Sequence, residues 1–224
     1  MPPGCLALIL LFGLVLLVPF FLANVTLAAL VKLGLSPQTS FLAAMGIFFG
    51  GMINIPIKRI ERDEVIEAMP LTLFGFERLF PRWVQQRTYT TIAVNLGGCL
   101  IPAAITVYEL LRLAGVGVAA LLAALVAAAI NIVLCYRLAR PLPQVGIALP
   151  ALVPALVAAA CGLVLLPELA PLVAFVAGVL GPLIGADLLH LGDIKRIGTG
   201  VASIGGAGTF DGIVLSALVA TLLA

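Results

Sequence analysis

The chain has 224 residues, of which 63% are hydrophobic and 10% are charged, and its mean hydropathy is +1.27. A soluble domain carries roughly 25% charged residues, so this composition excludes a soluble globular protein and predicts an integral membrane protein that has the lipid bilayer as its partner. The net charge of +2, without any basic run, argues against a nucleic-acid partner. The cysteines are scattered through apolar segments at no metal-binding spacing, so we expect buried thiols, no disulfides and no cofactor.

Seven apolar stretches follow one another along the chain, and each is long enough, or nearly so, for a membrane span of about 20 residues. The first has neither a basic segment before it nor a small-residue cleavage site after it, so we expect a retained transmembrane helix. The sequence therefore predicts an all-α integral membrane protein of about seven transmembrane helices, folded as a single polytopic domain over residues 1–224. The stretches comprise residues 5–31, 40–57, 91–111, 115–136, 145–166, 169–190 and 201–224.

The one strongly polar region, residues 58–90, lies between the second and third stretches. Its first part, residues 58–64, has dense mixed charge, which indicates a solvated surface segment. Its second part alternates aromatic residues such as Phe76 and Trp83 with arginines such as Arg78, a mixture typical of an amphipathic element in the membrane interface. An ordered cytoplasmic loop packed on the helices fits the same residues.

Loop charges predict the orientation of the chain in the membrane. Ten of the twelve lysines and arginines fall in the loops after the second, fourth and sixth stretches. Because cytoplasmic loops carry an excess of basic residues, we expect those loops in the cytoplasm of a cell with this protein in its inner or plasma membrane. The N-terminus is then cytoplasmic and the C-terminus lies outside. The ten residues are Lys58, Arg59, Arg62, Arg78, Arg82, Arg87, Arg137, Arg140, Lys195 and Arg196, and the other two are Lys32 and Arg112.

Two strings, residues 50–56 and 95–102, each place Gly-Gly, an asparagine and a proline inside an apolar run. This echo fits an inverted repeat, and it also fits chance in a chain rich in glycine, alanine and proline. Asparagines inside apolar spans commonly hydrogen-bond between helices, which we expect of Asn54 and Asn95. Both are also candidates for lining a binding pocket.

Asp187 and Asp211 are carboxylates in the last two apolar stretches, and the loop charges place both near the cytoplasmic face. A carboxylate in a bilayer costs about 3 kcal/mol or more, so it marks a functional-site candidate. Five glycines between residues 198 and 208 disfavour a continuous helix there, since each costs up to about 1 kcal/mol relative to alanine. We predict a discontinuous seventh span, broken near residues 205–208, with Thr209 as N-cap of the half-helix and Asp211 in its first turn.

Two carboxylates held close together share one proton and titrate as a unit. One aspartate can then act as a base on water while its partner protonates the oxygen of the carbonyl under attack. We therefore predict Asp187 and Asp211 as a catalytic pair with a binding site around them. The predicted binding residues are Gly205, Gly206, Gly208, Thr209, Asn54 and Asn95.

The single histidine, His190, follows Asp187 by three residues and shares its helix face. Together with Asp193 and Asp211 it offers nitrogen and oxygen ligands of the kind that hold a metal. A lone histidine at a membrane boundary is more commonly a solvated residue. We therefore expect no metal.

Three strings carry a resemblance to a known family: NLGG at residues 95–98, GADL at 185–188 and GGAGTFDG at 205–212. In these strings the chain resembles a family of prokaryotic multi-pass membrane proteins catalogued as a domain of unknown function. The likeness covers most of the chain after about residue 45. It implies a membrane protein but no particular activity.

The chain is also loosely similar to the intramembrane aspartyl proteases, the group that includes presenilin, signal peptide peptidase and prepilin peptidase. Those enzymes carry one aspartate on each of two successive helices near the cytoplasmic side, the second after Gly-x-Gly. The similarity implies Asp187 as the first aspartate, Asp211 as the second, and a membrane protein or peptide as substrate. Here Thr209 and Phe210 separate Gly-Ala-Gly from Asp211, and Ala186 stands where that group has tyrosine.

The sequence leaves three functions open. The first is a membrane-embedded aspartyl hydrolase, similar to an intramembrane protease, that uses the pair Asp187 and Asp211. The second is a small ion-coupled transporter, because a broken span and buried carboxylates also suit an ion or proton site. The third is a non-catalytic membrane scaffold.

Overall fold

The computed structural model of the chain describes residues 3–68, 82–142, 146–194, 200–208 and 211–224. These residues are predominantly helical, so the predicted fold class is confirmed at that level. In the described part of the chain, three helical stretches, Leu96–Val116, Val118–Leu138 and Pro167–Asp193, are long and apolar enough to cross a membrane. The helices are α1 (Pro3–Lys32), α2 (Pro37–Gly50), α3 (Ile101–Val116), α4 (Val118–Leu138), α5 (Leu152–Leu165), α6 (Ala170–Leu180) and α7 (Gly212–Leu223).

Helix α6 lies at the centre of the bundle. Its stretch, Pro167–Asp193, is 67% buried within the protein, whereas the other two candidate spans are 28% and 33% buried. Small residues allow this central position, since they let neighbouring backbones approach. At Gly178, a Cβ would lie 2.8 Å from the Cα of Ala217 on α7. The close approach of α7 to α6 therefore requires glycine at that position.

Within the described residues, five β-strands accompany the helices, which the all-α prediction did not include. Strand β1 (Asn54–Ala68) pairs antiparallel with β2 (Arg82–Asn95), and β5 (Val201–Ile204) pairs parallel with β2, giving the order β1-β2-β5. Strands β3 (Arg140–Leu142) and β4 (Gly146–Ala148) form a separate antiparallel pair.

The strands correct several predicted boundaries. Residues 54–57, 91–95, 146–148 and 201–204 belong to strands and not to the apolar spans in which they were predicted. Short apolar runs of β-branched residues do not distinguish strand from helix by periodicity, and pairing between distant segments decides the outcome. The described parts of residues 58–90 belong to the antiparallel strands β1 and β2, so they are not an irregular loop; the predicted interfacial position of this region stays a prediction. The aromatic segment with Phe76 and Arg78 lies outside the described residues.

All five strands lie at one end of the bundle, which we call the strand end. Helices α2 and α4 run into β1 and β3 there, while β2, β4 and β5 lead into α3, α5 and α7. The opposite end, the turn end, holds the short connections between α1 and α2, α3 and α4, and α5 and α6. The basic residues of β1, α4 and β3 (Lys58, Arg59, Arg62, Arg137 and Arg140) belong to the strand end, and Lys32 and Arg112 belong to the turn end.

Candidate functional site

Asp187 lies on a wide helical turn at the strand end of the central helix. Helix α6 continues into a π-helical segment, Gly181–Leu188, whose second residue is Pro182. Proline has no N–H for the helical hydrogen bond and its ring clashes with the preceding turn, and π-helical segments are frequent at functional sites. The Oδ2 atom of Asp187 accepts a hydrogen bond from the backbone N–H of Gly205 at 3.3 Å.

Asp211 is the N-cap of helix α7. Its Oδ1 accepts from the N–H of Ile213 at 2.9 Å, and its Oδ2 accepts from the N–H of Ala207 at 3.4 Å. This corrects the predicted cap, because Asp211 lies before the first turn and satisfies an otherwise unpaired helix N–H itself. Thr209 lies outside the described residues. The break predicted near residues 205–208 is confirmed, since β5 ends at Ile204 and α7 begins at Gly212.

One cavity brings the two carboxylates together. It has a volume of about 320 Å³, is partly open, and both Asp187 and Asp211 line it. The loop between β5 and α7 holds both side chains, because Gly205 donates to Asp187 and Ala207 donates to Asp211. The arrangement places two acid–base groups around a space that admits several water molecules or part of a larger ligand.

The glycines of this loop have different tasks. Gly205 and Gly208 have φ values of +70° and +59°, which favour glycine. Both also touch other backbones, since a Cβ on Gly205 would lie 2.6 Å from the carbonyl carbon of Gly98 and one on Gly208 would lie 2.9 Å from the Cα of Gly51. Of the three predicted glycines, Gly206 lines the cavity. Gly205 and Gly208 shape the loop that holds the carboxylates.

Asn54 and Asn95 are not among the residues that line this cavity, so the structure does not bring them together with the aspartates there. They are partners in the β1–β2 pairing, and Asn95 Nδ2 donates to Asn54 Oδ1 at 3.0 Å. Asn54 Oδ1 also accepts from the hydroxyl of Ser203 on β5 at 2.5 Å. The predicted hydrogen bonding between distant segments therefore exists: Asn54 joins two strands, and Asn95 joins β2 to β1 and to the end of α2.

His190 is buried and bonded to its own chain segment, so the prediction of a solvated histidine is wrong. It is 9% exposed, its Nδ1 donates to the carbonyl oxygen of Ala186 at 3.0 Å, and its ring lies 5.0 Å from that of Tyr136. The bond to Ala186 replaces the hydrogen bond that the ring N–H of a solvated histidine would donate to water. Within the described ranges, no three His, Cys, Asp or Glu side chains form a group that could hold a metal.

Sequence reasoning missed much of the cavity wall. The wall includes two residues of β4, all of β5, and two apolar residues that follow the π-helical segment. Strand β4 had no motif that linked it to the aspartates, since it lies inside an apolar run far from them in sequence. Ser203 is the one polar side chain that its position beside the glycines could have indicated. The missed residues are Gly146, Ile147, Leu191, Ile194, Val201, Ala202, Ser203, Ile204 and, in the loop after β5, Ala207.

Comparison with known proteins gives a family. No curated protein and no solved structure matches the chain. The family model described as "Protein of unknown function (DUF1614)" matches residues 48–223. This match contains both aspartates, all five strands and helices α3 to α7, while α1 precedes it. The chain therefore belongs to the DUF1614 family of proteins of unknown function.

Proposed function

We propose that this chain is a membrane-embedded hydrolase in which Asp187 and Asp211 form the acid–base pair. The observation that carries the proposal is their position on one cavity, with one loop donating a backbone hydrogen bond to each. Two unrelated carboxylates at a membrane boundary would not need backbone hydrogen bonds from the same loop. Two carboxylates around one small cavity are the arrangement that general acid–base chemistry requires.

The proposed membrane placement supports access of water to the pair. We place seven helices across an inner or plasma membrane, with the strand end in the cytoplasm, because the strand end carries most of the basic residues. The cavity then lies at the cytoplasmic boundary, and its partial opening admits water. A carrier would instead have its site near the bilayer midplane between related halves.

The reaction requires one proton on the pair. The ionised aspartate removes a proton from a water molecule, and the water oxygen forms a bond to the carbonyl carbon of the substrate. The protonated aspartate gives its proton to the carbonyl oxygen. When the tetrahedral intermediate collapses, the aspartate that took the proton from water gives it to the leaving nitrogen and the C–N bond breaks. A hydroxyl of the intermediate returns its proton to the other aspartate, so the pair is again singly protonated.

The wall of the cavity favours an extended polypeptide as substrate. Strand β5 lies at the edge of its sheet and pairs only with β2 among the described strands. An unpaired strand edge binds an extended peptide through backbone hydrogen bonds, with side-chain pockets giving specificity. Ile147, Leu191 and Ile194 face the same cavity, so apolar residues of a membrane-protein segment suit these pockets.

The test is cleavage of synthetic membrane-spanning peptides by the purified protein. We expect Asp187→Asn and Asp211→Asn each to lower the cleavage rate by about 10²–10⁴-fold, the usual contribution of a general acid or base. Glu168→Gln is the matched control, because Glu168 is an exposed carboxylate between α5 and α6 at the turn end. Cleavage that persists in both aspartate variants would exclude the pair as the catalytic groups.

A second candidate function is an ion-coupled carrier, and one observation favours it. Glu109 on α3 is fully buried near the turn end, and its Oε1 has no partner in the described part of the chain. Ionisable residues buried within membrane helices mark proton and ion pathways. For a carrier we expect proton- or sodium-dependent uptake into proteoliposomes that is lost in both Glu109→Gln and Asp211→Asn.

A further inference from the structure

Asn95 occupies the junction of three glycine-containing segments. It is the last residue of β2, and its Oδ1 accepts from the N–H of Gly98 at 2.7 Å, capping the π-helical turn Leu96–Leu100. Its Nδ2 donates to the carbonyl oxygen of Gly51, just after α2, at 2.8 Å. The side chain is 0% exposed. One amide thus joins the end of α2 to the turn that leads into α3.

A series of contacts connects Oδ1 of this amide with Asp187. Gly98, which Oδ1 holds, packs so closely on Gly205 that a Cβ on Gly98 would overlap the Gly205 carbonyl oxygen. The N–H of Gly205 donates to Asp187 at 3.3 Å. We call this sequence of contacts, from Asn95 through Gly98 and Gly205, the Asp187 arm.

A second series of contacts connects Nδ2 of the same amide with Asp211. Gly51, whose carbonyl accepts from Nδ2, lies against Gly208, where a Cβ would be 2.9 Å from the Gly51 Cα. The carbonyl oxygen of Gly208 accepts from the N–H of Asp211 at 3.0 Å. We call these contacts, from Asn95 through Gly51 and Gly208, the Asp211 arm.

We infer that Asn95 is a positioning residue that sets the spacing of the two carboxylates. The two arms start from opposite ends of one amide and finish at different aspartates. Each arm crosses a contact between glycine backbones, where no flexible side chain can absorb a displacement. A shift of Gly51 relative to Gly98 therefore reaches the loop that holds the carboxylates. The catalytic consequence rests on the proposed function, whereas the positioning itself does not.

The variant Asn95→Asp separates the two arms. It keeps the volume and the acceptor to Gly98 but removes the Nδ2 donor, so it breaks the Asp211 arm and turns the bonds to Gly51 and to Asn54 Oδ1 into repulsions. The matched control is Asn131→Asp on α4, because Asn131 is also 0% exposed and donates through Nδ2 to a backbone carbonyl, that of Ala177. Both variants place a carboxyl group in a buried amide site, and only Asn95 lies on the arms.

The readout is amide hydrogen exchange of the full-length protein in micelles, followed by mass spectrometry. In Asn95→Asp we expect exchange in residues 200–208 to accelerate about tenfold, the change that loss of one hydrogen bond of about 1.4 kcal/mol produces. In Asn131→Asp we expect no acceleration there, even when the melting temperature falls as far. Unchanged protection of residues 200–208 in Asn95→Asp overturns the inference.

A milder variant keeps the test valid if Asn95→Asp does not fold. Gly51 has a helical φ of −57°, and a Cβ there would lie 3.2 Å from the Gly208 Cα, so Gly51→Ala shifts Gly208 by a few tenths of an ångström without backbone strain. We expect faster exchange at the Asp211 amide and unchanged exchange at the Gly205 amide. Equal acceleration at both amides, or none at either, overturns the assignment of separate arms.

Cleavage kinetics then separate the inference from the proposed function. If the native protein cleaves peptides, we expect Asn95→Asp and Gly51→Ala to lower kcat with little change in KM, because the amide touches no substrate. An exchange response together with no cleavage by the native protein supports the positioning role and refutes the hydrolase. Cleavage with unaltered kcat in a variant whose loop exchanges faster refutes the positioning role alone.

Discussion

The two ends of the bundle are held together by different physical means. At the strand end, backbones meet directly: Gly97 lies against the end of α2 and Gly98 lies against Gly205, too close for any side chain. At the turn end, cationic side chains bind carbonyl oxygens at helix ends: Arg112 NH1 donates to Leu33 at 2.6 Å and Lys32 Nζ donates to Leu222 at 2.9 Å. We therefore expect added side-chain volume to destabilise the strand end, and loss of charge to destabilise the turn end.

The two ends also differ in their proposed roles: the strand end holds the candidate catalytic pair, and the turn end stabilises the fold. Backbone-to-backbone contacts fix the loop around Asp187 and Asp211 without introducing other charged groups beside the pair. At the turn end, Arg112 is itself 2.8 Å from the buried Glu109, so charge stabilises the fold there. Substitutions that act on one end and spare the other test the division.

The largest effect is expected at the turn end, from Arg112→Met. The substitution leaves Glu109, which is 0% exposed, without its partner, and such a loss in a fully buried pair costs about 3–5 kcal/mol. We expect about 3 kcal/mol, the lower end of that range, because the Arg112 side chain is 35% exposed. Unfolding in micelles measures the loss. The double variant Glu109→Gln/Arg112→Met should recover most of it, and if it does not, Arg112 acts by capping Leu33.

The next effect is expected at the strand end, from Gly98→Ala. Its Cβ would overlap the carbonyl oxygen of Gly205, and forcing an extra carbon into a packed site costs about 1–3 kcal/mol. The control is Gly115→Ala, since Gly115 lies on α3 near the turn end with nothing within 4 Å of its Cβ position. Alanine should stabilise that helix by up to about 1 kcal/mol. Equal responses at the two glycines, measured as melting temperatures, would contradict the division.

The same contrast explains how much of the fold the sequence could predict. Helices α3, α4 and α6 were predictable because long apolar runs specify them through composition alone. The strands were not, because residues 91–94 and 201–204 are short runs that become strands through pairing with distant segments, in this case with each other across about half of the chain's length. Local pattern determines a membrane helix, whereas long-range pairing determines these strands.

The candidate site could likewise be predicted only in part from the sequence. The cost of an intramembrane carboxylate singles out Asp187 and Asp211, and the basic loops place them at one end, so their proximity could be inferred from residue types. The glycines between residues 198 and 208 indicated a break in the last span, because glycine disfavours a continuous helix. The Asn95 side chain bonds to the Gly51 carbonyl and the Gly98 N–H and does not line the cavity, and this position depends on the register Asn54↔Asn95 in the β1–β2 pair. No local feature of the sequence encodes that register.

A smaller effect is expected at Asp211, where fold and chemistry can be separated. Asparagine caps a helix about as well as aspartate, whereas alanine at an N-cap costs about 1 kcal/mol. Asp211→Ala should therefore be less stable than Asp211→Asn by about that amount, because the bond to the Ile213 N–H is lost. Both variants should be equally inactive in peptide cleavage. Activity in the asparagine variant would mean that capping, and not proton transfer, is the task of this residue.

The smallest effect is expected from Lys32→Gln at the turn end. A cation at a helix C-terminus contributes about 0.3–1 kcal/mol at low ionic strength, and Lys32 is bonded to the carbonyl oxygen of Leu222 near the end of α7. The control at the strand end is Lys58→Gln, an exposed lysine of β1, for which we expect no measurable change. Salt should reduce the difference between native protein and Lys32→Gln, because it screens exposed charges. If Lys58→Gln proves as costly as Lys32→Gln, charge stabilises both ends, and the strand end does not depend on backbone packing alone.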